Sequence, residues 1–118
     1  MPTTADAVII GGGVTGTSLA YHLAKAGLHV TLLEKKHLCA GGTGKSTAVV
    51  RMHYENQPET QMAWASFRTY THFGDVVGGS CGFVGCGVLW LVDRDNTEQL
   101  QANVRMHQQI GVKARVVN

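Results

Sequence analysis

The hydrophobic positions change period several times along the chain, and each change marks an element. Ala7-Val8-Ile9-Ile10 is an unbroken apolar run that gives way at once to Gly11-Gly12-Gly13, the pattern of a short strand entering a turn. From Val14 to Ala26 the period becomes helical, with Leu19, Ala20, Leu23 and Ala24 on one face, and Gly27 supplies the stop. His29-Val30-Thr31-Leu32-Leu33-Glu34 then reads as a second strand, rich in β-branched residues and leucine as a strand buried on both faces should be. Strand, glycine turn, helix and strand make a βαβ unit, so the predicted class is α/β with a Rossmann-like start.

Downstream the rhythm is less regular. A glycine and hydroxyl cluster over Gly41 to Thr47 is expected to open a helix, and Ala48-Val49-Val50-Arg51-Met52-His53-Tyr54 turns from apolar to polar within a few residues. Pro58 suits a first helical turn, and Met62, Ala65, Ser66, Tyr70 and Phe73 continue an amphipathic helix to Gly74. Trp64, Phe67 and Tyr70 sit at helical spacing and are assigned to the core. Phe83 to Val92 reads as strand, irregularity at glycine, then strand. Asp95 or Asn96 caps a last helix with Leu100, Val104, His107 and Ile110 on one face, Gly111 ends it, and Ala114 to Val117 is one more short strand.

The glycine spacing carries chemistry. Gly11 permits a tight turn, Gly13 lets a pyrophosphate approach the backbone, and Gly16 lets the helix pack close to the strand. Phosphates then meet the helix N-terminus, with Val14 and Thr15 in its first turn. Glu34, eighteen positions beyond Gly16, is placed to accept from ribose hydroxyls, which disfavours a 2′-phosphate and hence NADP. A buried βαβ corner with packing glycines is the plain alternative. The second cluster interleaves Gly41, Gly42 and Gly44 with Thr43, Lys45, Ser46 and Thr47, the composition of an anion cradle. Gly44-Lys45-Ser46 also matches the tail of a Walker A loop, but that motif needs a glycine where this chain has Cys39. Lys35, following Glu34, fits a position beside a phosphate.

The order strand, Gly11-Gly12-Gly13-Val14-Thr15-Gly16, Ala20, Gly27, Glu34 and Gly41-Gly42-Thr43-Gly44-Lys45-Ser46-Thr47 resembles the FAD-dependent D-amino-acid oxidase superfamily, in its sarcosine/dimethylglycine oxidase-like branch. The resemblance implies the N-terminal part of an FAD-binding domain over 1–80, running into the first elements of an α+β substrate domain over 81–118. It implies FAD as cofactor, with Gly11, Gly13, Val14, Thr15, Gly16, Glu34, Lys35 and the loop from Gly42 to Thr47 around it. It also implies oxidation of a sarcosine-, glycine- or proline-like amine by hydride transfer to flavin, giving an imine that water hydrolyses. Arg51 stands where relatives have an arginine that pairs with the substrate carboxylate; a solvent-facing arginine at a helix end is an equal reading. His53 and Tyr54 are candidate pocket lining, and no catalytic residue is assigned. A non-catalytic dinucleotide-binding subunit and an NAD-dependent dehydrogenase are the other function classes on the same βαβ fingerprint.

Composition narrows the field further. A hydrophobic share of 44% against 15% charged predicts a folded core, and a net charge of +2 gives no reason to expect nucleic acid. Three cysteines, at 39, 81 and 86, form neither a disulfide framework nor a zinc spacing, which points to a reducing, cytoplasmic setting and no metal. The apolar run at residues 7–10 is too short for a membrane span. At 118 residues the chain is shorter than the resembled enzymes require, so a second chain or a C-terminal continuation is expected to complete the fold.

Overall fold

The structure, a computed structural model, describes residues 4–117. These fall into two compact units, one up to Val49 and one from Val50 on.

The first unit is the expected βαβ. Strand β1 (Ala7–Ile10), helix α1 (Val14–Lys25) and strand β2 (Val30–Leu33) follow in order. The strands pair in parallel with Ala7 opposite Val30 and Ile10 opposite Leu33. Asp6 clamps the start of this ladder: its N–H donates to the His29 carbonyl at 2.9 Å, and its Oδ2 accepts the His29 N–H at 2.8 Å. Gly11 N–H donates to the Leu33 carbonyl at 2.8 Å and carries the ladder into the turn.

The alternation of strand side chains decides which face is covered. Ala7, Ile9, Val30 and Leu32 are buried or half-buried, whereas Val8, Ile10, Thr31 and Leu33 are exposed. Helix α1 packs on both strands. The sequence predicts the second strand buried on both faces, and the structure corrects this: Leu33 is 53% exposed because no second layer lies on that face among the described residues, and Ile10 of β1 on the same side is 88% exposed. On α1, Ala20 and Leu23 are half-buried while Leu19 and Ala24 are exposed. Gly27, at φ +91°, follows the helix as predicted.

The second unit is built on helices. Helix α2 (Gln57–Thr71) starts from Asn56, whose side chain accepts the Glu59 N–H at 2.9 Å, with Pro58 in the first turn. It ends at Thr71, three residues earlier than the predicted terminus, and a short helix α3 (Phe73–Val76) follows through Gly74. A single 3-10 turn at Arg94–Asn96 leads into helix α4 (Thr97–Ile110), which packs on α2 and ends on Gly111 in the left-handed conformation. Asn96 is the N-cap residue but makes no side-chain cap bond. An aromatic cluster holds the outer part of α2: Trp64 stacks on Phe67 at 5.5 Å between centroids, and Phe83 meets Phe67 and Tyr70 at 5.6 and 6.5 Å. These rings pack on one another but stay half-buried, short of the core position their spacing predicts.

Three further expectations fail. The loop after Gly41 opens no helix, only a 3-10 turn at Thr43–Lys45. Neither 83–92 nor 114–117 forms a strand, because no neighbour among the described residues offers a ladder for their N–H and C=O groups. Leu91, 84% exposed, and Val84, 75% exposed, show that the apolar run lacks a covering layer.

Candidate functional site

The two glycine loops of the first unit form one hydrogen-bonded cradle. Gly12 is its centre: the N–H donates to Glu34 Oε2 at 2.8 Å, and the carbonyl accepts the Cys39 N–H at 2.9 Å. The Cys39 carbonyl in turn accepts the Gly44 N–H at 2.9 Å. Thr43 Oγ1 accepts the Val14 N–H at 3.0 Å, so the hydroxyl caps α1, whose N-cap residue Gly13 has no side chain to do so. With its oxygen engaged, the Thr43 hydroxyl retains a proton to donate.

The glycines have separate reasons. Gly11 has φ +109° and open space where a Cβ would stand. A Cβ on Gly16 would fall inside the 3.0 Å floor of real contacts, against the backbone oxygen of Gly11, which is the close approach of helix to strand read from the spacing. At Gly13 a Cβ would stand 3.1 Å from Thr43 Oγ1, so its absence makes room first for the capping hydroxyl. Gly12 needs its bare backbone too, because a Cβ there would meet Leu38 Cδ2 at 2.7 Å and Glu34 Cβ at 3.1 Å.

Glu34 lies at the end of β2 with both oxygens engaged, Oε2 by Gly12 and Oε1 by the Lys36 N–H at 2.9 Å. The Gly12 and Lys36 amides hold its pKa below the usual carboxylate value, with the Lys35 backbone and charge adding to them. Each carboxylate oxygen keeps a further lone pair for a ribose hydroxyl. Gly42, Gly44, Lys45 and Ser46 lie in and around the 3-10 turn, and Ser46 Oγ accepts the Ala48 N–H at 3.1 Å. Thr47 is exposed and enters none of these bonds. The loop does not follow directly from a strand, since β2 ends at Leu33, which removes the Walker A reading.

This arrangement fits a dinucleotide. Thr15 and Gly16 N–H groups in the first turn of α1 have no intrahelical acceptor, and the helix dipole favours negative charge there. Gly41 and Gly42 would meet nothing within 4 Å if given a Cβ, so a ligand lying along the second loop finds backbone and hydroxyls rather than bulk.

In the second unit the structure brings Arg51, His53 and Tyr54 together and adds Trp90. The Arg51 guanidinium lies over Trp90 at 5.3 Å and Tyr54 at 5.6 Å, and the His53 ring lies 4.3 Å from Trp90. Among the described residues no carboxylate pairs with Arg51 within 4.0 Å. Arg51, His53, Tyr54, Glu55 and Trp90 line a cavity of about 340 Å³. Burial pushes His53 below its ordinary pKa, the nearby His107 and Arg51 charges reinforce this, and Glu55 opposes it. Behind the segment, His107 Nε2 lies 2.9 Å from the Tyr54 carbonyl and its ring 5.5 Å from His53. Trp90, His107, Gly12 and Cys39 were missed in the sequence; each acts through a partner far along the chain, and only the unbroken glycine triplet signalled Gly12.

Among the described residues no group of His, Cys, Asp and Glu could hold a metal ion, and no helix is long and apolar enough to cross a membrane. The fold and cradle define a dinucleotide-binding βαβ module. The model of the family described as FAD dependent oxidoreductase (DAO) matches residues 6–118, and the chain belongs to this family. FAD is the cofactor of that family, which sets aside the NAD-dependent alternative.

The chain is similar to mitochondrial dimethylglycine dehydrogenase of Rattus norvegicus, 40% identical over 80 residues, covering 67% of this chain and 9% of that protein. It is also similar to the mitochondrial pyruvate dehydrogenase phosphatase regulatory subunit of Mus musculus, 35% identical over 92 residues, covering 77% of this chain and 10% of that protein. Among solved structures, L-proline dehydrogenase from P. horikoshii matches all of this chain and 31% of its own, with a TM-score of 0.89 and 25% identity. The chain therefore spans about a tenth of these curated relatives and a third of the solved one.

Proposed function

We propose that this chain supplies the ADP-binding βαβ unit and the second glycine loop of an FAD-dependent enzyme that oxidises an amine or amino acid bearing a carboxylate. The observation that carries the reading is the Thr43 hydroxyl bound to the Val14 N–H, which joins two glycine loops into one anion site at the start of α1. Thr15 and Gly16 N–H groups and the Thr43 hydroxyl donate to the pyrophosphate, and Glu34 accepts from a ribose hydroxyl. Gly42, Gly44, Lys45, Ser46 and Thr47 continue that contact along the cofactor, and Lys35 sits beside a phosphate. Arg51 takes the substrate carboxylate with its planar fork, and His53 and Tyr54 line the pocket. Bound FAD supplies the acceptor for the hydride leaving the carbon beside the amine nitrogen.

A second chain or a continuation completes the fold in this reading, and the uncovered faces of Ile10, Leu33 and Leu91 support it. Residues 1–80 serve the cofactor and 81–118 begin the substrate domain. The setting is cytoplasmic, which three cysteines free of disulfides support.

The likeness to a phosphatase regulatory subunit favours a second reading, a flavin-binding subunit without catalysis. Anaerobic mixing of the flavin-loaded protein with dimethylglycine, glycine and proline separates the two. Bleaching of the flavin by one of them is expected; a flavin that stays oxidised with all three leaves the non-catalytic reading.

A further inference from the structure

We propose that His107 is a positioning residue for the carboxylate-binding segment: its Nε2–H holds the Tyr54 carbonyl while its ring backs His53, and together these fix Arg51 over Trp90. The inference rests on the reading of Arg51 as the carboxylate partner. His107 lies on α4 and is only 3% exposed, yet it reaches a residue 53 positions away in the chain. Its partner is a carbonyl, which only accepts, so Nε2 carries the proton whatever the state of Nδ1.

The segment it holds has little else to hold it. Residues 51–54 belong to no helix or strand, and Tyr54 N–H donates only to the nearby Met52 carbonyl at 3.0 Å. The Thr60 hydroxyl lies 3.5 Å from the same Tyr54 carbonyl but is closer, at 3.0 Å, to the Asn56 carbonyl. The Arg51 guanidinium lies 5.6 Å from the Tyr54 ring centroid and 5.3 Å from that of Trp90, and among the described residues it pairs with no carboxylate within 4.0 Å. His107 reaches both residues beside Arg51: the backbone of Tyr54 directly, and Trp90 through His53. A buried helix residue thus sets where a loop arginine can stand, and small misplacements of a binding group are costly.

The test uses the complete flavin-loaded enzyme with His107→Leu, which keeps the bulk and removes the donor, and His107→Gln, which keeps an N–H at similar reach. Flavin reduction is followed against concentration for dimethylglycine and for trimethylamine, its counterpart without the carboxylate. His107→Leu is expected to raise the half-saturating dimethylglycine concentration about tenfold, with the limiting rate and the trimethylamine reaction unchanged and His107→Gln near wild type. An unchanged His107→Leu, or an equal loss with both amines, overturns the proposal. His107→Asn, polar but too short to reach the carbonyl, gives the same contrast if the leucine variant is not recovered folded.

The Trp90 indole resonance provides a readout independent of turnover. It is expected to shift in His107→Leu and return in His107→Gln; an unmoved resonance overturns the proposal. A shifted resonance in an enzyme whose wild type shows no preference for the carboxylate substrate supports the anchoring and refutes only the role given to Arg51.

Discussion

Gly16→Ala is the sharpest perturbation of the first unit, because one added carbon meets backbone rather than a movable side chain. The new Cβ would fall within 3.0 Å of the Gly11 carbonyl oxygen and 3.4 Å from Ile9 Cγ2. Relief requires either α1 to lift off β1 or Gly11 to move, and Gly11 is held by its N–H to the Leu33 carbonyl at 2.8 Å. Overpacking costs about 1–3 kcal/mol, and a weakened ladder bond adds about 0.5–1.5 kcal/mol. The better helix propensity of alanine returns about 1 kcal/mol. The net destabilisation is about 0.5–3.5 kcal/mol by these terms. Gly41→Ala is the control, since its Cβ meets nothing within 4 Å and its φ is ordinary. Gly27→Ala falls between them, with open space but a φ of +91° and a cost of about 1 kcal/mol. Urea unfolding of the complete protein and its three variants reads the series directly. A Gly16→Ala protein as stable as Gly41→Ala would refute the close helix–strand approach and the role assigned to Gly16.

Other substitutions probe the cradle and the arginine separately. Thr43→Val removes the cap on the Val14 N–H and is expected to weaken FAD binding about tenfold, with Thr43→Ser close to wild type; flavin titration of the apoprotein checks it. Arg51→Ala should leave flavin content unchanged and raise KM for a carboxylate-bearing amine far more than for one lacking it, as steady-state kinetics will show. Glu34 has a folded pKa below its ordinary value of 4.5, so its contribution to stability is fully present above that value and is lost as pH falls through the lower folded value. Acid unfolding of Glu34→Gln should accordingly lack that part of the wild-type pH dependence. His53 is also depressed from 6.5, so its neutral form stabilises the fold above that pH and the contribution declines as acid protonates it; His53→Gln should flatten the stability profile on the acid side of 6.5.

How much of this was legible depends on the range of the interactions. The βαβ start, from β1 through Gly27 to Glu34, follows from local apolar period and glycine spacing, and the structure repeats it nearly residue for residue. Helices α2 and α4 were legible from Pro58 and Gly111, which act on their own backbone. The predicted strands over 83–92 and 114–117 failed because strand formation depends on a neighbour that local sequence does not specify. The site was legible in its first loop and in the nearness of Arg51, His53 and Tyr54. Its connections were not. The Thr43 cap on α1 spans 29 positions and the His107 anchor 53, and neither leaves a periodic trace. Gly13 shows the limit clearly: its spacing marks the loop, but only the structure reveals that the Thr43 hydroxyl takes the space beside it.

Native mass spectrometry of the complete protein, as wild type and as Gly13→Val prepared in parallel, tests the FAD cradle most directly. Valine at 13 would drive its branches into the Thr43 hydroxyl and the start of α1. The wild type is expected to carry one FAD per chain and the variant none, with the variant still folded by circular dichroism. Equal flavin in both, or a folded wild type that carries none, would contradict the placement of FAD between the two glycine loops.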